Sequence, residues 1–243
     1  MHPARHRASD RTASDVEQVE STLRSRDDSV HVTDERFNTV SHLVAACLSL
    51  LGSALLLAQA GAEGDPWKVV GLAVYCASLL TLFVSSTVHH GLDRGHQVNS
   101  VLRTLDYTSV FFLIAGTVTP LVLVLFRTTY GWAVLGTVWA VAVLGIVLRS
   151  VWRHLPKYVT STLYIVLGWM SVALVFSGVW LPWGALALMA AGGLVYSVGF
   201  AVFVLERPNP RPGTFGFHEL WHLLVVVAAA LHYLLMYWYV LPA

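Results

Sequence analysis

Charge is scarce in this sequence. Only 12% of its 243 residues are Asp, Glu, Lys or Arg, against 56% hydrophobic, and the mean hydropathy is +0.64. Such a composition excludes a soluble globular domain, because most of the chain cannot form a water-compatible surface, and predicts an integral membrane protein. Cysteine is nearly missing. Cys47 and Cys76 both lie inside apolar runs, so neither a disulfide framework nor a C-x-x-C zinc site is on offer. Nothing in the charge pattern reads as a nucleic-acid footprint. The first 36 residues contain no Phe, Tyr or Trp and mix both signs of charge. They read as a disordered or loosely helical cytoplasmic tail, without the apolar core and small-residue cleavage site of a secretory signal.

Beyond the tail, residues 37–243 form one domain with seven apolar windows, at 38–60, 68–89, 105–126, 131–149, 158–179, 183–205 and 218–240. Each is close to the roughly 20 residues a helix needs to cross the hydrocarbon core. The expected fold is therefore an all-α membrane protein, a seven-transmembrane helix bundle. Thirteen of the 15 Lys and Arg residues fall in the tail or in the loops after the second, fourth and sixth windows, leaving only Lys68 and Arg127 on the other face. This asymmetry puts the amino terminus in the cytoplasm and the carboxyl terminus outside. Trp180 and Trp183, in the turn between the fifth and sixth windows, suit an interfacial aromatic anchor.

With direction set, polar residues acquire a depth. The second span ends inside with "LFVSSTVHHGLDRG", carrying Ser86, His89 and His90. The third begins inside with "VLRTLDYTSVFF", carrying Asp106, and the seventh with "FHELWHLL", carrying His218, Glu219 and His222. The first begins inside with "DERFNTVSHLV", carrying Glu35, Asn38 and His42. Ionisable groups from four helices thus converge at one level, which is costly unless they are paired, hydrated or bound to something. His218 and His222 are four apart, about 40° around a helix axis, so both face the same way. With a third imidazole from a neighbouring helix they make a three-nitrogen set that leaves a zinc ion one open position. A carboxylate nearby then suits metal-assisted hydrolysis.

Each element has a plainer reading. Interfacial histidines cap carbonyls or meet lipid phosphate, and spacing does not choose between His89 and His90. Asp106 can pair with Arg103 one turn earlier. Ser86 can hydrogen-bond a ligand from behind or simply pack a small-residue contact. His232 lies on a different face from His222 and is expected to be a hydrogen-bonded packing residue, and His96 and His154 sit in basic loops with no assigned role. "HELWH" satisfies H-E-x-x-H, in which Glu219 would be the general base of an intramembrane metalloprotease. The favoured reading of Glu219 is a solvated carboxylate in the first turn of its helix.

Taken together, "SSTVHH", "LDYTSVFFLIAGTVTP" and "FHELWHLLVV", on spans two, three and seven, resemble the hemolysin III family. This is the bacterial branch of the progesterone and adipoQ receptor group, which includes the adiponectin receptors. The resemblance runs from "ERFNTVSHLV" to the end of the chain. It implies a zinc site with His90, His218 and His222 as ligands, Asp106 holding the attacking water and Ser86 beside it, and so selects His90 over His89. It further implies a ceramidase-like hydrolase acting on a lipid amide or ester, with membrane lipid as partner, in the plasma membrane of a bacterium. Two non-enzymatic alternatives remain. One is a membrane-homeostasis sensor or regulator with structural zinc. The other is a hemolysin-like cytolytic protein, which the absence of a continuous polar stripe along the spans disfavours.

Overall fold

A computed structural model describes residue 31 and residues 33–152 and 155–243. Most of the expected tail lies outside the described residues, as do Arg153 and His154. Seven helices are long and apolar enough to span a membrane. They are α1 (Glu35–Glu63), α2 (Pro66–Gly91), α3 (His96–Pro120, continuing as the π-helical Leu121–Leu125), α4 (Thr129–Val151), α5 (Lys157–Trp169, continuing as the 3-10 segment Met170–Ser177), α6 (Trp183–Leu205) and α7 (Phe217–Leu235, continuing as the π-helical Met236–Val240). Among the described residues there is no strand, only an isolated antiparallel bridge between Arg211 and Phe215. The protein is a multi-pass membrane protein of the plasma membrane, and its seven spans match the seven apolar windows.

Local chemistry sets the helix ends. The Asp34 carboxylate accepts hydrogen bonds from the backbone N–H groups of Arg36 and Phe37, at 3.0 and 3.1 Å, and so caps α1. Helix α1 therefore starts at Glu35, inside the stretch assigned to the tail. At its other end Gly64 is left-handed (φ 74°), Asp65 caps the next helix and Pro66 opens it, which turns the chain in two residues. Thr128 caps α4 through the N–H of Gly131. Helix α3 begins at His96, well before the apolar window at 105, because its first turns are polar and exposed and leave no hydropathy signal.

Helices α2 and α3 are the inner pair. Half of the apolar window of α2 and 61% of that of α3 are buried, against 22–33% in the other five. Their close approach needs a small residue at the crossing, since a Cβ on Gly71 would stand 2.9 Å from the Cα of Pro120. Helix α1 packs on α2 and α7, and α6 packs on α7. The starts of α1, α3 and α7 thus gather around the end of α2 that carries His89 and His90. One cation counted as loop charge is drawn into this end: Arg149, 3% exposed, lies with its guanidinium 4.4 Å from the ring centre of Tyr107 and donates to the Leu155 carbonyl.

Candidate metal centre

The polar layer expected from the sequence is buried. Asn38, His42, Ser86, His89, His90, His218, Glu219 and His222 are each 3% exposed or less, and Asp106 is partly buried. Helix α2 brings Ser86 and His90 in one turn apart, and α7 brings His218 and His222 on one face, as their four-residue spacings require. The Nε2 atom of His218 lies 3.4 Å from Nε2 of His90 and 3.2 Å from Nε2 of His222. Ligand atoms of these three residues all fall within 4.8 Å of one another, so the group can hold a metal ion.

The separations test the fit. Two imidazoles on one tetrahedral zinc, with bonds of about 2.0–2.1 Å, place their nitrogens about 3.3–3.4 Å apart. The observed pairs bracket that value. His90 Nδ1 is 2.6 Å from Glu35 Oε2, and a carboxylate there favours the neutral tautomer with its N–H on Nδ1, which leaves the Nε2 lone pair for an ion. Three convergent imidazole nitrogens suit a borderline-soft divalent ion.

The Asp106 carboxylate comes within 4.8 Å of ligand atoms on His89 and His90, yet it is not a member of the three-histidine group. Ser86, Asp106, His218 and His222 line a small cavity of about 40 Å³, room for about one water. Five of its wall residues, Val110, Leu113, Tyr164, Tyr196 and Phe200, also line an apolar cavity of about 270 Å³ that runs between α3, α5, α6 and α7 as deep as His232 and Leu235. His42 lines the same small cavity. Its ring lies 3.9 Å from that of His222 and edge-on to Phe83, with Nε2 3.4 Å from the His222 carbonyl.

Glu219 corrects an expectation. It is 1% exposed, not solvated. Its Oε2 accepts from the N–H of Gly216 at 2.7 Å, and its Oε1 accepts from the N–H of Asp34 at 2.6 Å and faces Asn38 Nδ2 at 3.4 Å. Both oxygens are turned to backbone amides, which removes the geometric basis for Glu219 as a protease base and makes it a clamp between α7 and α1. The residue that spacing alone passed over is Glu35. Its signal was a polar face on an otherwise apolar helix, since Glu35, Asn38 and His42 stand at i, i+3 and i+7.

The fold and this site define an integral membrane protein of seven spans with a buried polyhistidine cluster competent for a metal ion. The chain belongs to the Haemolysin-III related family, whose model matches residues 30–233. It is 31% identical over 214 residues to Hemolysin-3 of Bacillus cereus, covering 87% of this chain and 94% of that protein. It is 28% identical to the human Monocyte to macrophage differentiation factor over 200 residues, covering 81% and 80%. Against the Heptahelical transmembrane protein ADIPOR2 of Oryza sativa subsp. japonica it is 28% identical over 195 residues, covering 71% and 82%.

Proposed function

We propose that this protein is a zinc-dependent hydrolase of a lipid amide or ester, working at the cytoplasmic level of the membrane. The observation that carries the reading is the trio of Nε2 atoms spaced 3.2 and 3.4 Å apart, two of whose histidines, His218 and His222, line a cavity that also presents Asp106 and Ser86. His90, His218 and His222 would hold the ion. When bound, zinc in a three-imidazole site polarises a carbonyl and makes water acidic enough to attack near neutral pH. Asp106 takes the proton from the attacking water, whose oxygen bonds to the carbonyl carbon. The same carboxyl returns the proton to the leaving amine or alkoxide as the C–N or C–O bond breaks. The Ser86 hydroxyl donates to the carbonyl oxygen as charge develops on it. The deep cavity accepts the hydrocarbon part of the substrate, since it adjoins the site and its walls are apolar.

The position of Asp106 supports an open site over a closed structural one. A fourth direct ligand would join the three nitrogens at the same short separations, and Asp106 does not join that group.

Elemental mass spectrometry on untagged, detergent-purified protein tests the reading. About one zinc per chain is expected in the wild type and none in the His218→Ala, His222→Ala double variant. Loss of zinc should also follow acidification, because protons compete with the ion for the same nitrogens. Wild-type protein prepared without chelator and still free of metal would return the histidines to ordinary buried packing.

A further inference from the structure

We infer that Glu35 is a positioning residue of the metal centre and that the first turn of α1, which supplies no ligand, sets the geometry of the helices that do. The inference rests on the metal reading above. Glu35 Oε2 lies 2.6 Å from Nδ1 of His90, whose side chain is 1% exposed, while the Glu35 side chain is 25% exposed. A neutral imidazole carries one N–H. A carboxylate on Nδ1 keeps the proton on that side, aims Nε2 at the site and raises its basicity as a ligand. The carboxylate is itself held: Thr33 Oγ1 donates to Glu35 Oε1 at 3.1 Å.

The same turn reaches the other ligand helix. The residue before Glu35, Asp34, donates its N–H to Glu219 Oε1 at 2.6 Å, and Glu219 lies between His218 and His222 in the chain. Two carboxylates therefore cross the helix boundary in opposite directions, Glu35 from α1 to α2 and Glu219 from α7 to α1. Ring contacts anchor the segment around them. Phe37 meets Phe215 edge-on at 5.6 Å, and His31 meets Phe217 at 5.9 Å while lying 3.7 Å from Glu206. His90, His218 and His222 come from two helices that are far apart in sequence, and this one turn links both.

The test is zinc affinity by chelator competition on the full chain, for wild type, Glu35→Gln and Glu35→Asp, alongside the melting temperature of each metal-free protein. Glu35→Gln should bind zinc roughly 10–100-fold more weakly with a metal-free melting temperature close to that of the wild type. Glu35→Asp, which keeps the charge but falls one methylene short of Nδ1, should lie between the two. Should Glu35→Gln fail to fold, the Asp variant carries the test through the same two readings. Unchanged affinity in the variants overturns the assignment. So does a loss of affinity matched by a loss of metal-free stability and not relieved by Asp, which would make Glu35 a structural residue only. Wild type without zinc would remove the metal reading and this inference together, whereas zinc held equally by all forms removes this inference alone.

Discussion

The two ends of one helix bundle are held by different physics. At the end that carries the histidine cluster, buried polar side chains from four helices meet at defined distances, as with Glu35 on His90 and Glu219 on the amides of Asp34 and Gly216. Deeper in the membrane, α3, α5, α6 and α7 leave a cavity of about 270 Å³ lined almost wholly by apolar groups. The difference follows from the solvent. A polar group in hydrocarbon must find a partner or lose free energy, so each polar position admits few arrangements. An apolar wall gains about as much from a lipid chain as from a neighbouring helix, so a void there costs little once a hydrocarbon fills it. Precision belongs to the first region and capacity to the second.

Substitutions can break that contrast in order of expected effect. Asp106→Asn should reduce hydrolysis of a responsive lipid amide or ester by roughly 10²–10⁴-fold with zinc content unchanged. An unaltered rate would remove Asp106 as the base. Glu219→Gln should lower thermal stability by about 1–3 kcal/mol, because it loses charge on two short hydrogen bonds to backbone N–H groups. It should leave a measurable hydrolytic rate, whereas a protease using Glu219 as its base would be silenced. In the apolar region, Gly193→Leu places a side chain on the cavity wall at a position where an added Cβ meets nothing within 4 Å. Turnover of long-chain substrates should fall by roughly tenfold relative to short-chain ones, with zinc retained. Equal loss for all chain lengths would show that the cavity does not hold the hydrocarbon tail.

The same contrast explains what could be read from the chain. Seven spans and the level of the polar layer were legible, because a histidine or aspartate in an apolar window stands out and helical spacing puts His218 and His222 on one face. The choice of His90 over His89 needed the family resemblance, and the geometry places His90, not His89, against His218 and His222. Glu219 was misjudged as solvated because its burial depends on the turn of α1 folding across it, a contact 185 residues away in sequence. Glu35 was visible as a polar residue, yet its partner lies 55 residues on in another helix. Arg149 looked like loop charge until the ring of Tyr107 came under it. The deep cavity left no trace, since residues that face lipid, a neighbouring helix or a void share one composition.

The change of winding in α5 also bears on how the protein fits its bilayer. Its apolar span, Tyr158–Ser177, has 20 residues where α3 has 30. Of the whole helix, the 13 residues of the α-helical part rise about 1.5 Å each and come to about 20 Å. The 8 residues of the 3-10 part, at about 2.0 Å each, add about 16 Å. The sum, about 36 Å, clears a hydrocarbon layer of about 30 Å with a margin that an unbroken α-helix of the same length, about 32 Å, would nearly lose to an ordinary tilt. The narrower, more drawn-out 3-10 winding lets the shortest span match the thickness its longer neighbours impose, so the membrane need not thin around it.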